Sequence, residues 1–579
     1  FFFQAEDGIR DKGMWLEFRR VLFRSFLDKL HPILLAVRNV EKNGVKFTRG
    51  GELNPYEQMR IQPGMVGRAQ HFVDISTLNF KDKANVGKPL MKILEPLNKD
   101  INGYKEFAAY AIARRSIEKS AQGFETGIDQ VAAKNTVKKL ESKYNQMFNE
   151  LVEYQKILVN YLVDSGILSK ESGRLILEAN KDYVPFYRVM EEGAQGGSIA
   201  KSVSNPIKKF KGSERVIIDP IESIYKNTFR FVTLAERNAS FVKFIEMVEA
   251  NKSLFPDINK AEKRTRVTNV TKEELANIVD NPNALKPEVL DGFQVFRKEG
   301  QVLSDTQIAI YRNGKREVWE VGRDIAQALK DHNEFSSLAM NKLMKVLSTP
   351  ASTLRIGATL APEFFVRNVI RDTFDAAIYS NSGFKIGLDT IRGFAVAMEG
   401  ARGKESKAYS EWLKSGGTQA TFVSWDRNYF KDNKIQDLSK INVYNKVTNA
   451  WEMLKISAEL FENSTRIGEF QRAYDKAIKQ GLPPAKALER AGFEARNITL
   501  DFQRIGAKNQ AWNRISAFFN ARLQGIYKLY EQLADPATRA QTLFRIASYI
   551  SLPSALQIGR AHVWTPVTFL YLVCRLLLE

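Results

Sequence analysis

Cysteine is all but missing from this chain, Cys574 being its single example, and histidine is nearly as scarce, at four residues. Tetrahedral zinc, iron–sulfur clusters, thiolate-bound haem and cysteine nucleophiles all need those side chains in sets, so the composition argues against each of them. Hydrophobic runs are short as well. The best membrane-anchor candidate, TFLYLVCRLLLE near the C-terminus, falls short of the roughly 20 apolar residues that span a bilayer. No run of five like charges occurs, and GxSxG, HExxH and paired CxxC motifs are absent. The glycines of GAQGGS lack the lysine of a phosphate loop, and no buried strand precedes them as a dinucleotide fingerprint requires. Scarce cysteine fits a reducing cytoplasm without requiring one.

The two ends read as something other than protein-coding sequence. FFFQAEDGIRD back-translates as a poly-T run followed by a short-read library primer, and LEFRRVLFRS, ending at Ser25, as the read primer that follows it. IGRAHV from Ile558 and the terminal LVCRLLLE match the complementary adapter. Residues 1–25 and 558–579 are therefore expected to be translated sequencing adapter and are set aside, as a tag would be. Cys574 goes with them. Each end segment carries a charge of +1, so the 532 residues from Phe26 to Gln557 retain +18 of the total +20. That surplus is spread along the chain and gives a general bias toward polyanions without specifying one.

A length of this order accommodates two to four domains. The spacing predicts a mainly α protein, a multi-helix, bundle-like architecture with a small antiparallel β hairpin inserted in an α+β middle region. From 26 to 190 the apolar periodicity is helical. Met147, Leu151, Tyr154, Leu158 and Leu162 recur three and four apart, Gly166 stops that helix, and Ser169 with Glu171 opens the next. Residues 191–214, rich in Gly, Ser and Lys, read as a linker. The region 215–323 is mixed: helical spacing runs from Pro220 to Ala250, and Asn313–Gly314 sits between two alternating apolar runs, the strongest short signal for a tight hairpin. From 324 to 557 helical spacing returns, with Gly481 stopping one helix and Pro483–Pro484 starting another.

Three clusters could carry chemistry. In VRNVIRDTF, Arg367 and Arg371 share one helical face and Asn368 and Asp372 the next, so the guanidiniums could clamp a phosphate, although an interhelical polar network explains the same spacing more simply. Glu462 and Arg466, one turn apart with the acid first, have the favourable order for a helical ion pair, with Glu469 on the following turn. Asp501 reads as a helix cap, and Arg504 with Lys508 as an anion contact. None of these supplies a nucleophile or a metal set, so the expectation is no enzyme, no cofactor and no metal.

Several of the same segments carry a family resemblance. YVPFYR (Tyr183–Arg188), PEFFVRNVIRD (Pro362–Asp372), ENSTRIGEF (Glu462–Phe470), and ARNITLDFQRIG with WNRISAFFNARLQG (Ala495–Gly525) resemble the helical domain of large polyvalent proteins of bacteriophages and mobile elements. The resemblance covers Asp28 to Gln557, most strongly 362–525. It implies a module without established catalysis, embedded in long phage proteins that often carry peptidase or methylase domains elsewhere and travel in the virion into the host with the DNA. Other virion proteins are the partners it implies, and the virion or the host bacterial cytoplasm its location. A basic module binding nucleic acid or anionic membrane is the alternative from composition, and an enzyme built on a carboxylate and arginine site is a third reading.

Overall fold

The computed structural model describes residues 23–45, 47, 50–97, 100–123, 126–178, 180–182, 220–261, 303–331, 362–402, 406–418, 450–501, 503–506, 509 and 519–551. The expected linker 191–214, the motif Tyr183–Arg188 and Lys508 lie outside the described residues, as does almost all of both adapter-like ends. The described residues form a mainly α fold with two small antiparallel sheets.

The N-terminal helices are α1 (His31–Lys42), α2 (Pro55–Ile61), which continues through a tighter turn into α3 (Val66–Asp74), and the short α4 (Leu90–Leu94). Helix α2 starts where the sequence provides a full capping box: the Asn54 side chain accepts from Glu57 N, and the Glu57 carboxylate accepts from Asn54 N, both at 3.0 Å. Helices α5 (Ile101–Ala121) and α6 (Gln130–Asp164) run antiparallel, Tyr144 donating to Gly103 O at 3.1 Å toward one end and Gln130 to Ser116 Oγ at 2.9 Å toward the other. The stripe read from the sequence is the buried face of α6: Leu151, Tyr154, Leu158 and Leu162 are buried and Met147 packs against them. Gly166 takes a φ of +80° where the helix ends, and Ser169 Oγ accepts from Ser172 N at 2.9 Å to start α7 (Lys170–Glu178).

The long α8 (Pro220–Ala250) joins two cores. Its first half packs with Phe72, Phe107, Tyr110, Phe148 and Tyr161 of α3, α5 and α6, and its second half packs Phe244, Ile245 and Val248 against Ile33, Val37 and Met59. The second core also holds the predicted hairpin, β4 (Gln307–Arg312) and β5 (Lys315–Glu320). Asn313 and Gly314 occupy the turn with φ of +50° and +77°, the left-handed pair that a two-residue turn of this hand requires. The hairpin gains a third strand, β3 (Asn259–Lys260), which pairs antiparallel with β5 and gives the order β3-β5-β4. A second ribbon pairs β1 (Thr77–Leu78) with β2 (Asn85–Gly87). Both additions are two or three residues long, too short to carry an alternation signal. Helix α9 (Arg323–Asp331) closes this core through Ala326 and Leu329.

The remaining described helices are α10 (Pro362–Tyr379), α11 (Leu388–Ala401), α12 (Lys407–Lys414), α13 (Ala450–Lys479), α14 (Pro484–Ile498), α15 (Phe519–Ala534) and α16 (Pro536–Ile546). Val396, Trp412, Ile467, Phe470, Leu488 and Ala491 build the core shared by α11 to α14. Helices α11 and α13 cross backbone to backbone, because a Cβ on Gly393 would stand 1.8 Å from Ser464 O and one on Gly468 would stand 2.2 Å from Asp389 O. That close crossing fixes the face of α13 that carries Arg466 and Glu469. Among the described residues no helix is long and apolar enough to cross a membrane.

Candidate functional site

Charged side chains that the apolar pattern places on packed faces have to find partners inside, because an unpaired buried charge is costly. Among the described residues two such networks concern the singled-out charges or their neighbours, and both draw together residues distant in the chain.

The first surrounds the loop that follows α14. Asp501 accepts from Arg60 Nη2 of α2 at 2.8 Å and from Arg496 Nη2 of α14 at 3.2 Å. Burial alone would raise the Asp501 carboxyl, but Arg496 and Arg60 outweigh it and hold the group down at about 2. Asp501 also accepts from Gln503 N at 3.1 Å, a bond that a helix cap makes too, but the described residues 503–506 that follow are not helical, so here it stabilises a turn. Arg504, 476 positions from its partner, reaches Asp28 at 3.2 Å and makes a two-pronged pair with Glu531 of α15, both bonds at 3.0 Å. The Asp28 carboxylate also accepts from Tyr56 O–H. Burial opposes ionisation of Asp28, but the Arg504 and Arg60 guanidiniums keep it below its ordinary value.

Among the described residues no ion pair joins Arg466 to Glu462, although the spacing favours one. The Arg466 Nε donates to Thr499 Oγ1 at 2.9 Å and its Nη2 to Leu500 O at 2.7 Å. Lys528 of α15 joins it there, donating to Thr499 O at 3.2 Å and also to Ile498 O. Both cations lie at the C-terminal end of α14, where the unpaired carbonyls and the negative end of the helix dipole favour positive charge. Burial lowers the Lys528 ammonium to about 8, against the pull of Asp375.

The α10 cluster lies beside this network and is more open. Arg371 is half exposed and its guanidinium folds back on Asp372, at 2.9 Å and 3.2 Å, with Asp375 and Glu462 acting on it electrostatically. Arg367 is exposed and Asn368 half buried. Glu469 is buried and accepts from Ser380 Oγ at 2.9 Å and 3.1 Å. Burial, with Glu494 adding to it, raises its carboxyl to about 8, so the group is protonated at neutral pH. Its folded value lies above its ordinary 4.5, so its contribution to stability is complete below about 4.5 and is lost as pH rises through about 8. Glu469→Gln, which keeps the acceptor without the titration, is expected to remove that decline. Urea midpoints measured from pH 4.5 to 8.5 on both proteins check it, and parallel curves would refute it.

The second network lies where α3, α6, α8 and α14 meet. Glu236 pairs with Lys83 at 2.8 Å and with Arg68, and accepts from Tyr161 O–H. Arg68 also reaches Glu489 at 3.2 Å and donates from Nε to Lys414 O at 2.6 Å. Burial would raise the Glu236 carboxyl, but Arg68 and Lys83 hold it at about 2. His71 completes the neighbourhood: its ring nitrogens meet Ser76 O at 2.6 Å and Ser410 Oγ at 2.7 Å, and burial lowers it to about 3, so it stays neutral.

Of the residues singled out in the sequence, Asp501, Arg504 and Arg466 enter the first network, and Arg371, Asp372 and Glu462 flank it. Asp28, Tyr56, Arg60, Arg496, Lys528 and Glu531 complete it and carry no spacing signal. The one available hint was an arginine on the packed face of a helix, as at Arg60 and Arg496. Among the described residues no group of three or more His, Cys, Asp or Glu could hold a metal ion. No protein-family model matches the chain, and neither a curated protein nor a solved structure matches it.

Proposed function

We propose that the chain is a non-catalytic structural and interaction module of a phage large polyvalent protein, carried in the virion with other virion proteins and delivered into the host bacterium with the genome. The observation that carries the reading is the use of the singled-out charges. Asp501 and Arg504 are consumed in buried ion pairs with Arg60, Arg496, Asp28 and Glu531, which suits a role as ties between distant segments better than proton transfer or nucleophilic attack. The family resemblance supplies the setting. Mass spectrometry of purified particles of the source phage is expected to find tryptic peptides such as NITLDFQR, residues 497–504. Their absence from particles that contain the other virion proteins would reject the assignment.

A second reading rests on the exposed lysines of the α5 and α6 hairpin, Lys105, Lys134, Lys138 and Lys139, in a chain of net charge +20. Here the module also binds DNA or an anionic membrane surface during delivery. Affinity for duplex DNA would fall by about tenfold or more between 50 and 200 mM salt, since each released counterion adds to the slope. Lys134→Glu with Lys138→Glu would flatten that slope. Absence of binding at low ionic strength to both DNA and anionic vesicles removes this reading and leaves the first intact.

A further inference from the structure

The chain holds three Asn-Gly dipeptides, at Asn43, Asn102 and Asn313, and each of these asparagines is exposed. A glycine after asparagine leaves the next backbone nitrogen unhindered by a Cβ, which is what attack on the asparagine side chain needs. The fold treats the three glycines differently. Gly103 is buried in the first turn of α5, its N–H held by the Asp100 carboxylate at 2.8 Å and its carbonyl by Tyr144 O–H at 3.1 Å. Gly314 is buried in the hairpin turn, where its N–H donates to Gly166 O at 3.0 Å and an added Cβ would stand 2.4 Å from Ser169 N. Gly44 has no such clamp among the described residues. It is exposed just past α1, with a φ of +102° and nothing within 4 Å of an added Cβ. Its N–H reaches Glu41 O at 3.2 Å and Val45 N reaches Val40 O at 3.3 Å, the local bonds of a left-handed helix end. The Asn43 amide is tied to the same turn, donating to Asn39 O at 2.8 Å.

We propose that Asn43 is a deamidation site of the folded chain, and that the fold protects Asn102 and Asn313 from the same reaction. The Gly44 nitrogen attacks the side-chain carbonyl carbon of Asn43. The new N–C bond closes a cyclic imide as the Cγ–Nδ2 bond breaks, and ammonia leaves with the proton from Gly44 N–H. Water then opens the imide at either carbonyl, giving aspartate or isoaspartate. The attack needs Gly44 N–H released from Glu41 O and the Asn43 side chain released from Asn39 O, and fraying of the last turn of α1 supplies both at once. Helix ends open at far lower free energy than packed turns. Releasing Gly103 instead parts α5 from α6, and releasing Gly314 parts the hairpin from the Gly166–Ser169 segment. The product sets a carboxylate at the C-terminal end of α1, where the helix dipole disfavours it, so the modification loosens the turn that permitted it.

The test is peptide mapping by mass spectrometry of the full chain after incubation in mildly alkaline buffer, folded and, in parallel, unfolded in urea. Cleavage after glutamate isolates Asn43 in residues 42–52 and Asn313 in residues 300–317, and trypsin isolates Asn102 in residues 100–105. In the folded chain Asn43 is expected to convert about tenfold or more faster than either of the others, a ratio set by the difference in local opening free energy. In urea the three rates are expected to converge. Comparable rates in the folded chain, or Asn102 or Asn313 converting first, overturn the proposal. The same ratio in urea also overturns it, since local sequence would then account for the order. Asp100→Ala removes the acceptor of Gly103 N–H and is expected to speed Asn102 while leaving Asn43 unchanged; an unaltered Asn102 rate overturns the protection.

Discussion

Glu236→Gln is expected to lower the free energy of unfolding by about 3–5 kcal/mol, the cost typical of removing one partner from a buried ion pair. The loss arises because Arg68 and Lys83 remain buried without their carboxylate, and Glu489, at 3.2 Å from Arg68, cannot serve both. Burial brings Lys83 down from its ordinary 10.5 to about 8 even beside Glu236, and the neighbouring Arg68 acts in the same direction. Adding Lys83→Met to Glu236→Gln is therefore expected to recover part of the loss, because an apolar side chain replaces a stranded cation. Acidity provides a further check. The Glu236 carboxyl titrates at about 2 in the fold against an ordinary 4.5, so its contribution is complete above about 4.5 and disappears as pH falls through about 2. Urea unfolding across pH 2 to 7 should show a shallower acid limb in Glu236→Gln, and an equally steep one would refute the assignment.

Asp501→Asn is the second large effect, again about 3–5 kcal/mol, although the replacement is nearly isosteric. An amide can accept from one guanidinium and from Gln503 N, but it neutralises neither Arg60 nor Arg496. A surface control separates burial from ion pairing as such. Lys92 and Glu95 pair at 2.9 Å with both side chains more than half exposed, and Glu95→Gln is expected to change stability by less than about 1 kcal/mol. Equal losses at the two positions would mean that the interior pair has no special weight. The acid dependence follows the same sign as for Glu236, with the Asp501 contribution complete above 3.8 and lost as pH falls through about 2.

The parts of the fold that were legible in the sequence are those governed by neighbours in the chain. The α6 stripe, the Gly166 stop, the Asn313–Gly314 turn, the Pro220–Ala250 helix and the start at Pro484 all follow from spacing of three and four residues, or from a backbone angle that few residues adopt. Strands β1 to β3 were missed because two or three residues hold no period. The candidate site divides the same way. Local spacing suggested the pair Glu462 and Arg466, whereas Arg466 donates to a hydroxyl of Thr499 and a carbonyl of Leu500, which the fold brings to it from beyond the end of α14. Asp501 and Arg504 were singled out with other roles in view, helix cap and anion contact, and both are ion-pair members. Their partners Arg60 and Asp28 lie more than 400 positions away, where no periodicity can reach.

The account stands on the buried pairs being structural ties between the two ends of the chain, and the double-mutant cycle of Arg60→Met with Asp501→Asn measures that directly. Urea unfolding of the four proteins is predicted to give a coupling energy of about 2 kcal/mol, within the range found for residues in one buried network. Coupling within about 0.5 kcal/mol of zero, the additivity expected of independent sites, would contradict it.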